Sequence, residues 1–259
     1  MSHVTSYANG TPSWMDLMTS DREAALRFYG ALFGWRFEVG PPESGHYTTC
    51  LLDGDPVAGI GERPADADYP VAWTTYLAVD DVDKTCAAVT EHGGQVLMPP
   101  MDVFEEGRMA MAADPTGAVF GMWQAGKHTG ARRVNEPGAI CWNEVTTGDT
   151  ETAARFYTDV FGMTAEKMDS EFDYRTLQVA GRTVAGVFNP PQGLPEGVPP
   201  YWMGYFAVDD TDGAVERVTA GGGSVIAPPM DSPYGRIAVV SDPQGAVLSV
   251  MAMAAEMPQ

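Results

Sequence analysis

Twice in this chain an acidic residue stands two positions after a tryptophan, at Trp14/Asp16 and at Trp142/Glu144. Each pair has a tyrosine counterpart further along, Tyr76 in "WTTYLAVDD" and Tyr205 in "WMGYFAVDD". Residues two apart on a strand share one face. Trp14, Asp16 and Met18 therefore point the same way, as do Thr74, Tyr76 and Ala78, and Val119, Gly121 and Trp123. The second set is Trp142, Glu144, Thr146, then Met203, Tyr205, Ala207, then Val247, Ser249, Met251. A carboxyl group among Trp, Met and Val has its ionised form disfavoured, and a neighbouring phenol is a natural hydrogen-bond partner. Such a pair can serve as general acid or base, with Asp16, Tyr76, Glu144 and Tyr205 as the candidate catalytic groups. The alternative, that these carboxyls satisfy buried partners as architecture, stays open, because both copies keep them. Trp14 and Trp142 are either core or an aromatic wall for a flat ligand.

These residues must be held by strands, and the strands recur. "WMDLMTSDREAALRFYGALFGW" (Trp14–Trp35) returns 128 positions later as "WNEVTTGDTETAARFYTDVFGM". "YTTCLLDGDPVAGI" answers "YRTLQVAGRTVAGV", "PPMD" occurs twice, and "DPTGAV" answers "DPQGAV". The reading is a loose tail over 1–12, one domain over 13–124, a polar linker over 125–139 and a second domain over 140–254. Each is long enough to bury its own core. Within a copy, Trp14–Thr19 alternates as a strand, Ser20-Asp-Arg-Glu23 fits a capping box, and Gly34 stops the helix. Short strands follow, then the order repeats from Trp73, with Asp-Pro-x-Gly closing a hairpin. The "PPMD" segments read as loops at a rim. The fold class is α+β, two domains each made of two βαβββ units.

With 35 acidic against 15 basic residues, the formal charge is −20. Such a surface repels phosphate backbones, so nucleic acid is not expected as a partner. No apolar run is long enough to cross a bilayer. The opening "MSHVTSYANGTPSW" lacks the basic and apolar regions of a Sec leader. Three scattered cysteines suit reduced thiols in a cytoplasm. The expected partner is a small molecule, for a monomer or homodimer.

The spaced set "FYGALFGW" after a strand and "DPTGAVF" before the last strand, occurring twice, resembles the vicinal oxygen chelate superfamily. That superfamily includes glyoxalase I, bleomycin-resistance proteins and extradiol dioxygenases; the nearest likeness is a tandem branch called glyoxalase-like or hydroxylase-like. The resemblance covers roughly 13–124 and 141–252. It implies a cup-shaped curved sheet in each domain, helices outside, and a ligand inside the cup. It also implies places for a divalent ion, which fall on Trp14, Thr74, Gly121 and the "VAGI" segment, and on Trp142, Met203, Ser249 and "VAGV". Indole, glycine and thioether do not hold such an ion, so no metal or other cofactor is expected.

The ligand contacts expected are Trp14, Met18, His46, Thr74, Arg108, Gly121 and Trp123 in the first cup. In the second they are Trp142, Thr146, Met203, Arg236 and Ser249. Arg108 and Arg236 would reach an anionic group, or else pair locally with Asp102 and Asp231. His46 lies on the first copy alone and favours that cup. Three functions follow: a metal-independent binder of a small apolar or aromatic molecule; a metal-independent lyase, isomerase, cyclase or hydroxylase-like enzyme; or a degenerate member acting through its surface.

Overall fold

The computed structural model describes residues 2–255. The first copy runs β1 (Ser2–His3), β2 (Pro12–Thr19), α1 (Arg22–Phe33), β3 (Arg36–Val39), β4 (Thr48–Leu52) and β5 (Asp55–Glu62). It continues with β6 (Ala72–Ala78), α2 (Val82–Glu91), β7 (Gln95–Val103), β8 (Gly107–Ala113) and β9 (Val119–Ala125). After β10 (Arg133–Val134), the second copy runs β11 (Ile140–Thr146), α3 (Thr150–Phe161), β12 (Thr164–Lys167), β13 (Asp173–Val179) and β14 (Arg182–Asn189). It ends with β15 (Tyr201–Ala207), α4 (Thr211–Ala220), β16 (Ser224–Ser232), β17 (Gly235–Ser241) and β18 (Val247–Met253). The sheet orders are β3-β4-β5-β2-β6-β9-β8-β7 and β12-β13-β14-β11-β15-β18-β17-β16. Each is two βαβββ units joined through the antiparallel pairs β2·β6 and β11·β15. The α+β class and the tandem cups are as expected.

All four helices start from an aspartate whose carboxylate accepts a backbone N–H: Asp21, Asp81, Asp149 and Asp210. The N-cap of α1 is thus Asp21, one residue beyond the Ser20 of the expected capping box. Ser20 instead donates to Gln244 Oε1 of the second domain, at 2.6 Å. Gly34 ends α1 with φ of 74°, a left-handed position that suits glycine.

The cores are not one per domain. One cluster joins Phe28, Tyr29, Phe33, Trp35 and Trp73 to Phe206, Val218, Val240 and Leu248. The other joins Leu77, Val89, Phe120 and Met122 to Phe156, Tyr157, Leu177 and Trp202. Helix α1 packs on α4, and α2 on α3. The helices lie outside each cup but inside the molecule, because a helix with apolar residues on both sides needs cover from both. The two sheets thus stand back to back. Where no helix separates them, Thr75 Oγ1 donates to Asn143 Oδ1 at 2.9 Å.

The repeated "RFY" and "DP" segments meet across this boundary. Tyr29 Oη donates to Asp242 Oδ2 (3.0 Å), and Tyr157 Oη to Asp114 Oδ2 (2.9 Å). Each phenol also accepts an indole N–H, from Trp73 and Trp202 respectively.

Two segments differ from expectation. Residues 2–12 are held rather than loose: β1 pairs with β10, Tyr7 Oη donates to Ala131 O, and Asn9 donates to Phe161 O. The "PPMD" residues lie in β7 and β16 rather than in loops. Both are sheet edges, where a proline without an N–H breaks no ladder, and both carry register shifts there.

Candidate functional site

Strand β2 sets Trp14 opposite Tyr76 and Asp16 opposite Thr74, and β6 sets Tyr76 beside Gly121. On the floor of the first cup, Asp16 Oδ2 accepts from Tyr76 Oη at 3.2 Å and from Tyr47 Oη at 3.3 Å. Trp14 Nε1 donates to Tyr47 Oη at 2.9 Å. Burial raises the Asp16 carboxyl to about 7, the two phenols pulling it back only in part. Its other oxygen, Oδ1, is buried without a protein partner.

The second cup repeats this. Tyr205 Oη donates to Glu144 Oε1 at 3.1 Å, and Trp142 Nε1 to Tyr174 Oη at 3.2 Å. Burial raises the Glu144 carboxyl, against the lowering influence of the Tyr174 and Tyr205 phenols. All four catalytic candidates therefore sit as two carboxyl–phenol pairs.

Tyr47 and Tyr174 were missed. They open the two matched segments before "VAGI" and "VAGV", and it is the glycines of those segments that admit them. A Cβ on Gly59 would lie 1.8 Å from Tyr47 Oη, and one on Gly186 2.0 Å from Tyr174 Oη. Gly59→Ala is therefore expected to displace the Tyr47 phenol and break its links to Trp14 and Asp16. A loss of about 1–3 kcal/mol in denaturant unfolding, with altered tryptophan emission, is the expected result; unchanged stability and emission would contradict it.

The two cups differ in cover. Residues 125–139 do not merely connect: Ala131 N donates to Ser13 O and Arg132 N to Pro56 O, tying the segment to the first sheet. Its His128 ring packs edge-on against Trp14 at 4.3 Å and Trp123 at 5.6 Å, and Trp123 Nε1 donates to His128 O. Trp14, Tyr76 and Trp123 are consequently buried. His128 is pushed down to about 4 by burial, and its Nε2 has no partner. A polar cleft of about 460 Å³ remains at the flank, lined by residues including Glu38, Thr49, His128 and Arg132. Among the described residues no such strap covers the second floor, where Trp142, Tyr174, Phe188 and Tyr205 are each half-buried. The linker thus covers the Trp14 and Trp123 side of the first cup and leaves the cleft beside it.

Of the other expected contacts, Thr74 and Met18 lie on the first floor, Met18 against Gly61. Thr146, Met203 and Ser249 are buried on the second. Three expected contacts are elsewhere. His46 occupies an exposed turn with φ of 58°, its carbonyl accepting from Arg22 and Thr48. Arg108 pairs with Asp102 and Asp83, and Arg236 with Asp231 and Asp212. Asp83 and Asp212 stand at the starts of α2 and α4, so both guanidiniums are spent at the helix-covered edge.

The divalent ion implied by the resemblance does not fit this donor set. The corresponding strand positions hold indole, threonine, methionine, serine and glycine, and the space is filled by phenols. Among the described residues no group of three His, Cys, Asp or Glu could share an ion.

Two back-to-back cups of paired βαβββ units define a class of fold, and sequence comparison gives its family. The chain belongs to the Glyoxalase/Bleomycin resistance protein/Dioxygenase superfamily, matched over residues 6–122 and 139–250. It is 45% identical over 252 residues to "Putative glyoxylase CFP32" of Mycobacterium tuberculosis, covering 95% of each chain. It is 37% identical to the "Anthracycline biosynthesis protein DnrV" of Streptomyces peucetius, covering 96% of this chain and 95% of that one. In fold it is similar to the Mn(II)-bound glyoxalase from Novosphingobium aromaticivorans, with TM-score 0.66, 18% identity, and coverage of 97% and 85%. The 2,3-dioxygenase LapB from Pseudomonas sp. KL28 superposes with TM-score 0.67 at 14% identity, covering 98% and 96%.

Proposed function

We propose that this protein binds a planar aromatic molecule, without a metal ion, in the cup of its second domain. The observation that carries this is the repeated cluster of tryptophan, two tyrosines and a carboxyl, in which Trp142 and Tyr205 of the second cup are half-buried where Trp14 and Tyr76 of the first are buried. Trp142, Tyr174 and Phe188 offer flat apolar faces, and Glu144 and Tyr205 offer polar points at their base. The relative named for anthracycline biosynthesis agrees with an aromatic ligand. The test is tryptophan-fluorescence titration with anthraquinone-2-sulfonate. Trp142→Ala should weaken binding at least tenfold, Trp14→Ala should leave it nearly unchanged, and a chelator should do nothing. Loss of binding on chelation, or sensitivity to Trp14 alone, would overturn the proposal.

A second reading is favoured by Asp16, whose carboxyl is raised to about 7 and keeps one free buried oxygen. A group so placed can take a proton from a substrate that enters by the cleft while Tyr76 steadies the carboxyl. In that case Asp16→Asn abolishes turnover and leaves substrate affinity intact. Equal loss of both would argue against proton transfer.

The setting we propose is the cytoplasm, where Cys50, Cys86 and Cys141 would stay reduced as they stand. No helix among the described residues is long and apolar enough to cross a membrane. We take the small molecule to be the partner, of a monomer or homodimer, with nucleic acid disfavoured by the charge of −20.

A further inference from the structure

The two cups part company at one pair of equivalent residues. Gly121 lies beside Tyr76, and Ser249 beside Tyr205, at matching places on β9 and β18. A Cβ on Gly121 would fall 2.2 Å from the Tyr76 ring, so that ring lies directly over bare backbone and is buried. Ser249 carries a Cβ, which denies Tyr205 the same position, and Tyr205 is half-buried rather than buried. Ser249 itself is fully buried. Its Oγ lies beside the Tyr205 phenol, whose ionised form burial and Glu144 disfavour, and it makes no hydrogen bond of full geometry there.

A buried hydroxyl left unpaired costs about 1–3 kcal/mol, so its survival asks for a partner. Strand register turns it to the same face as Tyr205, into the cup. Glu144 stands on that face too, with Oε1 engaged by Tyr205. Burial disfavours its ionised form, against the lowering influence of the Tyr174 and Tyr205 phenols. Above them stands the aromatic wall of Trp142, Tyr174 and Phe188.

We propose that Ser249 Oγ, supported by Glu144, forms an oxygen-reading subsite on the floor of the second cup that selects planar aromatics bearing a ring carbonyl. The hydroxyl donates to the carbonyl oxygen, and the ring system lies against the wall. This rests on the second-cup reading above. It adds that the ligand is an aryl ketone or quinone rather than a bare hydrocarbon, and that the first cup, with Gly121, lacks the selecting group.

The test compares anthraquinone-2-sulfonate with anthracene-2-sulfonate, which differ only in the two ring carbonyls, against the full chain. The wild type should bind the quinone at least tenfold more tightly. Ser249→Ala, which keeps the Cβ and hence the Tyr205 position, should bind both probes alike with anthracene affinity retained. Ser249→Cys, with a weak S–H donor, should fall between and guards against a poorly folded alanine variant; thermal melts of both should match the wild type. Trp142→Ala should weaken both probes equally. Equal binding of the two probes by the wild type, or an equal loss of both in folded Ser249→Ala, overturns the subsite and leaves the aromatic cup standing. Binding of neither probe, or no effect of Trp142→Ala, overturns the cup and the subsite together.

Discussion

Phe206→Ala is expected to lower stability by about 3–5 kcal/mol, and to do so for both halves of the chain at once. Phe206 belongs to the second sheet, yet its ring lies 5.1 Å from Phe33, 5.6 Å from Trp35 and 5.1 Å from Trp73, all in the first copy. Removing it leaves a cavity that Trp35 cannot readily fill, since its indole N–H is fixed to Gly138 O at 2.7 Å. Because each core draws residues from both copies, neither domain can keep its core when the boundary opens. Unfolding should therefore remain a single transition by calorimetry and by tryptophan emission, with the midpoint moved down. Two separate transitions, one at the wild-type midpoint, would show that the domains own their stability independently. For the same reason, residues 1–124 alone should expose the α1 and α2 faces and fail to give a cooperative melt.

The shared core explains which features the sequence exposed and which it hid. The duplication, the strand parity and the carboxyl–phenol pairs were legible because they depend on spacing within one strand or between matched segments. Tyr76 and Asp16 needed only a period of two and an antiparallel neighbour. Tyr47 was within reach by the same logic, since its counterpart Tyr174 and the glycines facing both recur, but its length across the sheet is not a periodicity. The covering of the first cup was not legible at all. His128 meets Trp14 only through the path of a linker, and a polar segment with Gly and Pro carries no pattern that fixes where it lies. Arg108 and Arg236 make the local pairs with Asp102 and Asp231 that the sequence offered as the alternative, whereas their second acids, Asp83 and Asp212, come from helix starts remote in sequence. The N-cap slipped by one because Ser20 and Asp21 are both good caps, and Gln244 of the other domain engages the serine.

Asp16 and His128 should impose opposite pH dependences on stability, nearly hidden in the wild type and uncovered when either is removed. Burial raises Asp16 from 3.8 to about 7. Between those values the folded chain holds a proton that the unfolded chain has lost. Its contribution is therefore complete below about pH 4 and disappears as the pH rises to 7, a change of about 4 kcal/mol. Burial lowers His128 from 6.5 to about 4. Here the unfolded chain binds a proton that the folded chain refuses, so stability is complete above 6.5 and lost as the pH falls to 4, by about 3 kcal/mol. Glu144, also raised by burial, adds to the Asp16 trend. From pH 4.5 to 6.5 the slopes of Asp16 and His128 oppose each other, leaving the wild type shallower than either variant. Asp16→Asn should turn this into a marked loss toward acid, and His128→Gln into a marked loss toward neutrality. The exposed acids beside the strap, Glu38 and Glu106, are common to all three proteins and cancel in the difference. Urea midpoints at pH 4.5, 5.5 and 6.5 would measure it. Parallel profiles for the three proteins would mean that neither group is buried from water as the strap places it, and that the first cup stands open in solution.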